Sequence, residues 1–395
     1  MNDGEVERNM KVKIGIDNFI QQSNQWKDKH IALLTNATGI DTALNMDLDL
    51  LMANGFNVVK LFGPEHGIWG TAADGANVLD EIEPHYKIPI FSLYGKTRRP
   101  TFEMLEGIDV VIYDIQDVGL RFYTYIYSLA YMMEKCGEMG VKVVVLDRPN
   151  PLSGRVEGPV IKKRLESFVG GYELALRYGL TVGELALYFN ERFNMNVELE
   201  IVKMDGWKRW MYYDDTGLLW NTPSPNIPSF EHALLYAGMC LLEGINVSVG
   251  RGTVHPFKYV GAPWIDSKKL KAEMDAVSHP GVKFRERAFI PLASKYANEI
   301  CHGLEFFVID KSKAKPIELA LELVSRLKKI HSKEFEWDTS YHGANDRYHF
   351  DLLIGDDKYR KAIDEGRNGQ ELSRMWKEES KEFQELSKKY WLYPE

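Results

Sequence analysis

Glu65 sits in the run Gly63-Pro-Glu-His-Gly67, where a proline and two glycines hold the backbone in a tight loop. A carboxyl carried there, with part of its hydration removed, suits a general acid. The plain alternative is a solvated loop glutamate. Its neighbour His66 is either a substrate contact or a hydrogen-bonded structural histidine. Asp114 and Asp117 are three residues apart, a spacing that serves a metal, a sugar hydroxyl or, by default, the N-terminus of the next helix. Arg121, Arg148 and Arg251 are candidates for an anionic substrate group, because guanidinium forks match carboxylates. Any one of the three taken alone is more often structural.

These residues share a position along the chain. Five short apolar runs, Ile31–Leu34, Val58–Phe62, Ile88–Leu93, Val110–Tyr113 and Val143–Leu146, are rich in Val, Ile and Leu without clean alternation. Strands buried on both faces of a parallel sheet have this character. Helical stretches fall between them. Leu44–Asn54 stops at Gly55, and Tyr123–Met139 stops at Gly140, as helices ending on glycine do. Thr181-Val-Gly-Glu184 is a capping box opening a helix that runs to Phe193. Alternating strands and helices predict an α/β fold with a doubly wound parallel sheet. In such sheets ligands bind beyond the carboxyl ends of the strands. The runs that follow the five strands carry Asn36, then Glu65 and His66, then Arg98 and Arg99, then Asp114 through Tyr125, then Arg148 and Asn150. Five polar exits at one sheet edge predict a polar cleft.

Thr222-Pro-Ser-Pro-Asn-Ile-Pro228, with three prolines in seven residues, reads as an extended, stiff connection and carries Asn226. The domain boundary is placed there, giving a Rossmann-like domain over 12–228 and a smaller mixed α/β domain over 229–395. The second part is expected to hold strands at Asn246–Val249 and Leu304–Ile309 and helices at Pro316–Ile330 and Gln370–Tyr390. Its loop Gly250-Arg-Gly-Thr-Val-His255 would bring Arg251 and His255 to a shared cleft.

Composition narrows the function. The 395 residues are 45% hydrophobic and 27% charged, with a net charge of -8 and no broad basic stripe, so no nucleic-acid partner is expected. No apolar run is long enough for a membrane span. Cys136, Cys240 and Cys301 are widely separated and odd in number, which predicts buried reduced thiols rather than disulfides or a zinc site. No Gly-x-Gly-x-x-Gly follows the first strand, and Walker and Gly-x-Ser-x-Gly sequences are missing, so nucleotide cofactors and esterase chemistry lose support. No metal site has diagnostic spacing. The first ten residues lack the order of a secretory signal. As it stands the chain reads as cytoplasmic; it reads as secreted or periplasmic if a signal was removed or the start altered, with Met10 an alternative start.

Leu61-Phe-Gly-Pro-Glu-His-Gly67, Leu93-Tyr-Gly-Lys-Thr-Arg-Arg-Pro100 and Tyr113-Asp-Ile-Gln-Asp-Val-Gly-Leu-Arg-Phe-Tyr-Thr-Tyr125 resemble the exo-β-N-acetylmuramidases of the NamZ type. Leu146-Asp-Arg-Pro-Asn-Pro151, Pro223-Ser-Pro-Asn226 and Glu243-Gly-Ile-Asn-Val-Ser-Val-Gly-Arg-Gly-Thr253 extend the resemblance through the chain. Gly70-Thr-Ala-Ala-Asp74 departs from it, standing where relatives carry a more acidic or basic loop. The resemblance implies a Rossmann-like domain and a smaller α/β domain with the active site between them. It implies release of N-acetylmuramic acid (MurNAc) from the non-reducing ends of peptidoglycan fragments, with no cofactor and with Glu65 as the catalytic glutamate. On that reading Asp114, Asp117 or Tyr123 steadies the acetamide. Asn36, His66, Arg121, Tyr125, Arg148, Asn150, Asn226, Arg251 and His255 then contact a saccharide or muropeptide. A catalytically silent muropeptide-binding protein and a sugar-phosphate enzyme are the alternatives. The sequence fixes no oligomeric state.

Overall fold

The computed structural model describes residues 12–72, 75–76, 79–339 and 347–395. Met10, Ala73 and Asp74 lie outside them. Six parallel strands form the central sheet: β1 (Ile31–Thr35), β2 (Val58–Gly63), β4 (Pro89–Ser92), β5 (Val110–Asp114), β6 (Lys142–Leu146) and β9 (Leu199–Val202). A short antiparallel strand, β3 (Glu81–Ile82), closes one edge, and the order is β3-β4-β2-β1-β5-β6-β9. Both sides of β1 are central, with Ile31 opposite Val58 and Val110, and Thr35 opposite Asp114.

Alternate side chains of each strand go to opposite faces. Ile31, Leu33, Leu61, Val110, Ile112 and Val144 pack under the helices Gly15–Gln22 and Asp47–Ala53. Ala32, Leu34, Phe62, Val111, Tyr113, Val143 and Val145 pack on the other face with the helices Tyr125–Met139 and Val182–Arg192. Burial on both faces explains why the strands read as predominantly apolar runs without alternation. Starting from β1 the chain winds outward one way through β2 and β4 and the other way through β5, β6 and β9, which is Rossmann-like. The capping box is formed, with the Thr181 hydroxyl accepting from the Glu184 amide.

The second part is built on an antiparallel sheet, β10 (Tyr259–Ala262), β12 (Cys301–Val308) and β11 (Val282–Phe289) in that order; the helix Ser267–Asp275 packs on β11, β12 and the helix Pro316–Ile330, which packs in turn on Phe230–Met239. Its apolar residues join those of the first sheet in one continuous core. A hairpin of β7 (Glu157–Val160) and β8 (Ala175–Arg177) receives the helix Lys377–Ser387. The chain end then returns to the first sheet, where the Tyr393 hydroxyl donates to Asp147 Oδ2 at 2.5 Å.

Three sequence expectations need correction here. Thr222–Pro228 is not extended: the Ile227 amide donates to the Ser224 carbonyl at 3.0 Å, closing a turn with Pro225 at its second position. Asn246–Val249 is not a strand; only isolated bridges from Ile245 to Trp337 and from Ser248 to Gly261 form there. The helix expected over Gln370–Tyr390 is broken at Trp376 into Gly369–Met375 and Lys377–Ser387.

Candidate active site

The segment after β2 turns sharply. His66 and Gly67 have φ of 69° and 73°, and the Gly67 amide donates to the Pro64 carbonyl at 3.0 Å. A left-handed residue other than glycine costs about 1 kcal/mol. At His66 this is offset by Nδ1, 2.7 Å from the Ala72 carbonyl. A carbonyl only accepts, so Nδ1 donates in this contact. The turn places the Glu65 carboxylate in a cleft of about 700 Å³, a size suited to a small-molecule site.

Thr124 precedes the helix Tyr125–Met139 and makes no side-chain cap. Its hydroxyl instead donates to Glu65 Oε2 at 2.6 Å, while the Gly75 amide donates to Oε1 at 3.2 Å. A hydroxyl is donor and acceptor in one group, so the Thr124 contact serves Glu65 with and without a proton. Tyr123 and Tyr125 line the same wall with ring centroids 4.8 Å apart, and burial pushes the Tyr123 hydroxyl well above the ordinary phenol range. The Tyr125 hydroxyl donates to the Pro223 carbonyl at 2.7 Å, which holds the turn carrying Ser224 and Asn226 against the cleft.

The facing wall comes from the second part. Glu243 accepts from Arg251 Nε at 2.5 Å. Burial alone would raise the Glu243 carboxyl, but Arg251, with His349 and Lys295, outweighs it and holds the group below its ordinary range. Lys295 Nζ lies 2.6 Å from Asp338 and donates to the carbonyls of Glu243 and Ile245 at 2.7 and 2.6 Å. Gly252 makes this wall possible. A Cβ there would lie 2.4 Å from the Ala293 amide nitrogen, so only glycine lets the loop close on the segment bearing Ser294 and Lys295.

Of the sequence candidates, Glu65, His66, Tyr123, Tyr125, Asn226 and Arg251 line the cleft. The others do not. Asp114 is wholly buried and paired with Arg148, whose Nε and Nη2 reach its two oxygens at 2.5 and 2.8 Å. Arg148 also donates to the Ile40 carbonyl. Asp117 accepts from the Gly119 amide at 2.8 Å and from the Tyr178 hydroxyl. Arg121 is fully buried and donates to the carbonyls of Pro159, Leu174 and Leu353. Asn36 accepts from the Thr38 amide and hydroxyl, and Asn150 bridges the Leu180 carbonyl and the Leu152 amide. His255 stacks on His232, with its Nδ1 3.4 Å from His232 Nε2. For Asn36, Asp114 and Arg148, which follow β1, β5 and β6, the reason is local. The strand-order reversal between β1 and β5 is filled by the chain itself, with Asn221 donating to the Ala37 carbonyl at 2.6 Å, so the open cleft lies toward β2 and β4.

Glu243, Thr124, Arg98, Lys295, Asp338 and His349 line or support the cleft without having been singled out by type and spacing. For Glu243 a signal existed, because it opens the motif that carries Arg251. Cys136, Cys240 and Cys301 are free, and Cys240 adjoins the cleft. Among the described residues no group of three or more His, Cys, Asp and Glu side chains could hold a metal, and no helix is long and apolar enough to cross a membrane.

A Rossmann-like sheet, a second α/β part and a cleft with carboxylates on both walls among tyrosine and phenylalanine rings suit a hydrolase of the glycosidase class. Residues 31–231 match the family description "Exo-beta-N-acetylmuramidase NamZ, N-terminal", and residues 234–393 match its C-terminal counterpart. The peptidoglycan beta-N-acetylmuramidase NamZ of Bacillus subtilis (strain 168) is 40% identical over 386 residues, 97% of this chain and 92% of that protein. Two crystal structures of DUF1343 family proteins from Bacteroides fragilis NCTC 9343 superpose over 98% of this chain and all of theirs. Their TM-scores are 0.88 and 0.74, at 34% and 31% identity. The chain belongs to the NamZ family of exo-β-N-acetylmuramidases, and it is a glycoside hydrolase.

Proposed function

We propose that this protein releases terminal non-reducing MurNAc from peptidoglycan fragments such as MurNAc-GlcNAc, with Glu65 as the general acid. The observation that carries the assignment is the Thr124–Glu65 contact inside the cleft, which fixes the carboxyl in one orientation and suits both of its protonation states. Glu65 gives its proton to the glycosidic oxygen as the C1–O bond breaks, and the leaving sugar departs as an alcohol. Water supplies the hydroxyl that ends on C1, either directly or after the substrate's own acetamide oxygen has attacked C1, and its proton returns to the carboxylate. On this reading Tyr123, which lines the cleft, steadies the acetamide, since Asp114 and Asp117 are buried outside the cleft.

The test is Glu65→Gln, which keeps the shape and removes the ionisable proton. Removing a positioned acid lowers the rate by about 10²–10⁴. Turnover of an unactivated MurNAc-GlcNAc disaccharide should fall by that factor, and near-normal turnover would reject the assignment. A chromogenic β-MurNAc glycoside assayed with and without chelator separates the other readings. Binding without turnover marks a muropeptide-binding protein, and loss of activity with chelator marks a metal-dependent enzyme.

A further inference from the structure

Three cations line the cleft among the described residues, and two of them are matched to acids of the protein. Arg251 holds Glu243, and Lys295 holds Asp338. Arg98 makes no ion pair or hydrogen bond to a described residue. On the acidic side, Glu65 is held by a hydroxyl and an amide rather than by a cation. The walls therefore leave one guanidinium and one carboxyl for the substrate.

Arg98 is positioned rather than loose. The Thr97 hydroxyl accepts from the Arg99 amide at 3.0 Å and donates to the Arg99 carbonyl at 2.7 Å, which tightens the loop after β4. Arg99 is drawn away from the cleft, pairing with Glu134 and stacking 3.8 Å over Tyr131. Arg98 goes the other way, its guanidinium 4.0 Å over the Phe168 ring and 5.2 Å from that of Tyr94. A cation held over aromatic rings spends none of its N–H donors on them, and a guanidinium fork can grip a carboxylate by two parallel bonds.

We propose that Arg98, set on Tyr94 and Phe168, binds the substrate's lactyl carboxylate and is the residue that separates a muramic sugar from one lacking that ether. This rests on the muramidase reading and replaces Arg121 and Arg148, which the fold has turned inward. Arg98 is solvent-exposed, so without the carboxylate its fork returns to water, and the preference comes from the charge-assisted contact itself.

The experiment measures binding separately from turnover. Isothermal titration of wild type, Arg98→Ala and Arg98→Lys would use MurNAc, its methyl ester and GlcNAc. Wild type should bind MurNAc at least about tenfold more tightly than the ester or GlcNAc, as expected for a charge-assisted bidentate contact. Arg98→Ala should erase that difference, weakening MurNAc by about that factor and the ester, which keeps only a neutral carbonyl acceptor, much less. Arg98→Lys should restore part of it, since the charge returns without the planar fork. Equal affinity of wild type for acid and ester would overturn the proposal, and so would an equal loss for both ligands in Arg98→Ala. The function itself is judged by turnover of a β-MurNAc glycoside. A protein that binds MurNAc through Arg98 and turns nothing over would refute the hydrolase reading and keep this one.

Discussion

Asp117 is buried without a cation beside it. Burial pushes its carboxyl up to about 7, against hydrogen bonds from the Gly119 amide that favour the ion and with Asp147 adding to the rise. The sign of the pH effect follows from linkage. The folded state holds the proton more tightly than the unfolded state, so the contribution to stability is fully present below about pH 4 and is lost as pH rises through about 7. Asn at this position keeps the shape and cannot ionise. The melting temperature of wild type minus that of Asp117→Asn should therefore be more favourable to wild type at about pH 5 than at about pH 8. A constant difference would mean that Asp117 does not titrate in this interval. The same burial explains why Asp117 makes a poor sugar contact: its environment selects for packing, whereas Glu65 opens on the cleft.

The helix Tyr125–Met139 carries the site at its start and is ended by Gly140, whose φ is 69°. A Cβ added there meets nothing within 4 Å, so Gly140→Ala isolates the backbone cost of the left-handed conformation. That cost is about 1 kcal/mol. Denaturant unfolding should show this loss, with KM and kcat unchanged at moderate temperature. No loss would mean that the helix end relaxes to another conformation. This helix also shows what could be read from sequence. Its end was legible because one glycine suffices to stop a helix, and the five strands were legible because burial on both faces leaves them mostly apolar, with Lys60 of β2 the interior exception. β11 was not, because Val282–Phe289 mixes exposed Lys283 and Arg285 with apolar residues on a half-solvated sheet. Asn246–Val249 is apolar enough for a strand, yet Gly244 is pressed against Phe350 and Gly250 turns the chain, so no ladder forms. The site was legible to the level of the loop. Glu65 and Arg251 could be picked out by their glycine-flanked positions. Arg98, Arg121 and Arg148 follow strands in the same manner, and only the tertiary surroundings decide which of them is enclosed by carbonyls, paired to Asp114 or left facing a cleft.

At the scale of the whole molecule, the two walls of the cleft are held together by more than the connection at residues 222–228. The chain crosses back after the helix Lys377–Ser387, and its final residues lock onto the carboxyl edge of the first sheet. The Leu392 amide donates to Glu184 Oε1 at 2.8 Å, beside the buried pair of Glu184 with Arg209. The Tyr393 hydroxyl donates to Asp147 and accepts from the Met204 amide at 3.0 Å. Asp147 also accepts from the Thr181 hydroxyl and the Gly183 amide, so one carboxylate joins β6, the helix Val182–Arg192 and the chain terminus. None of these residues lines the cleft. Tyr393→Phe removes one hydroxyl, leaves the Met204 amide without its acceptor and weakens the hold on Asp147. Leaving buried polar groups unmatched costs about 1–3 kcal/mol. The variant should unfold at lower temperature by that margin of stability while kcat/KM well below the transition stays at the wild-type value. If instead activity falls at temperatures where the fold is intact, the terminal strap sets the geometry of the cleft as well as its stability. An unchanged transition would mean that the strap contributes nothing through this hydroxyl, and that the continuous apolar core alone joins the two parts.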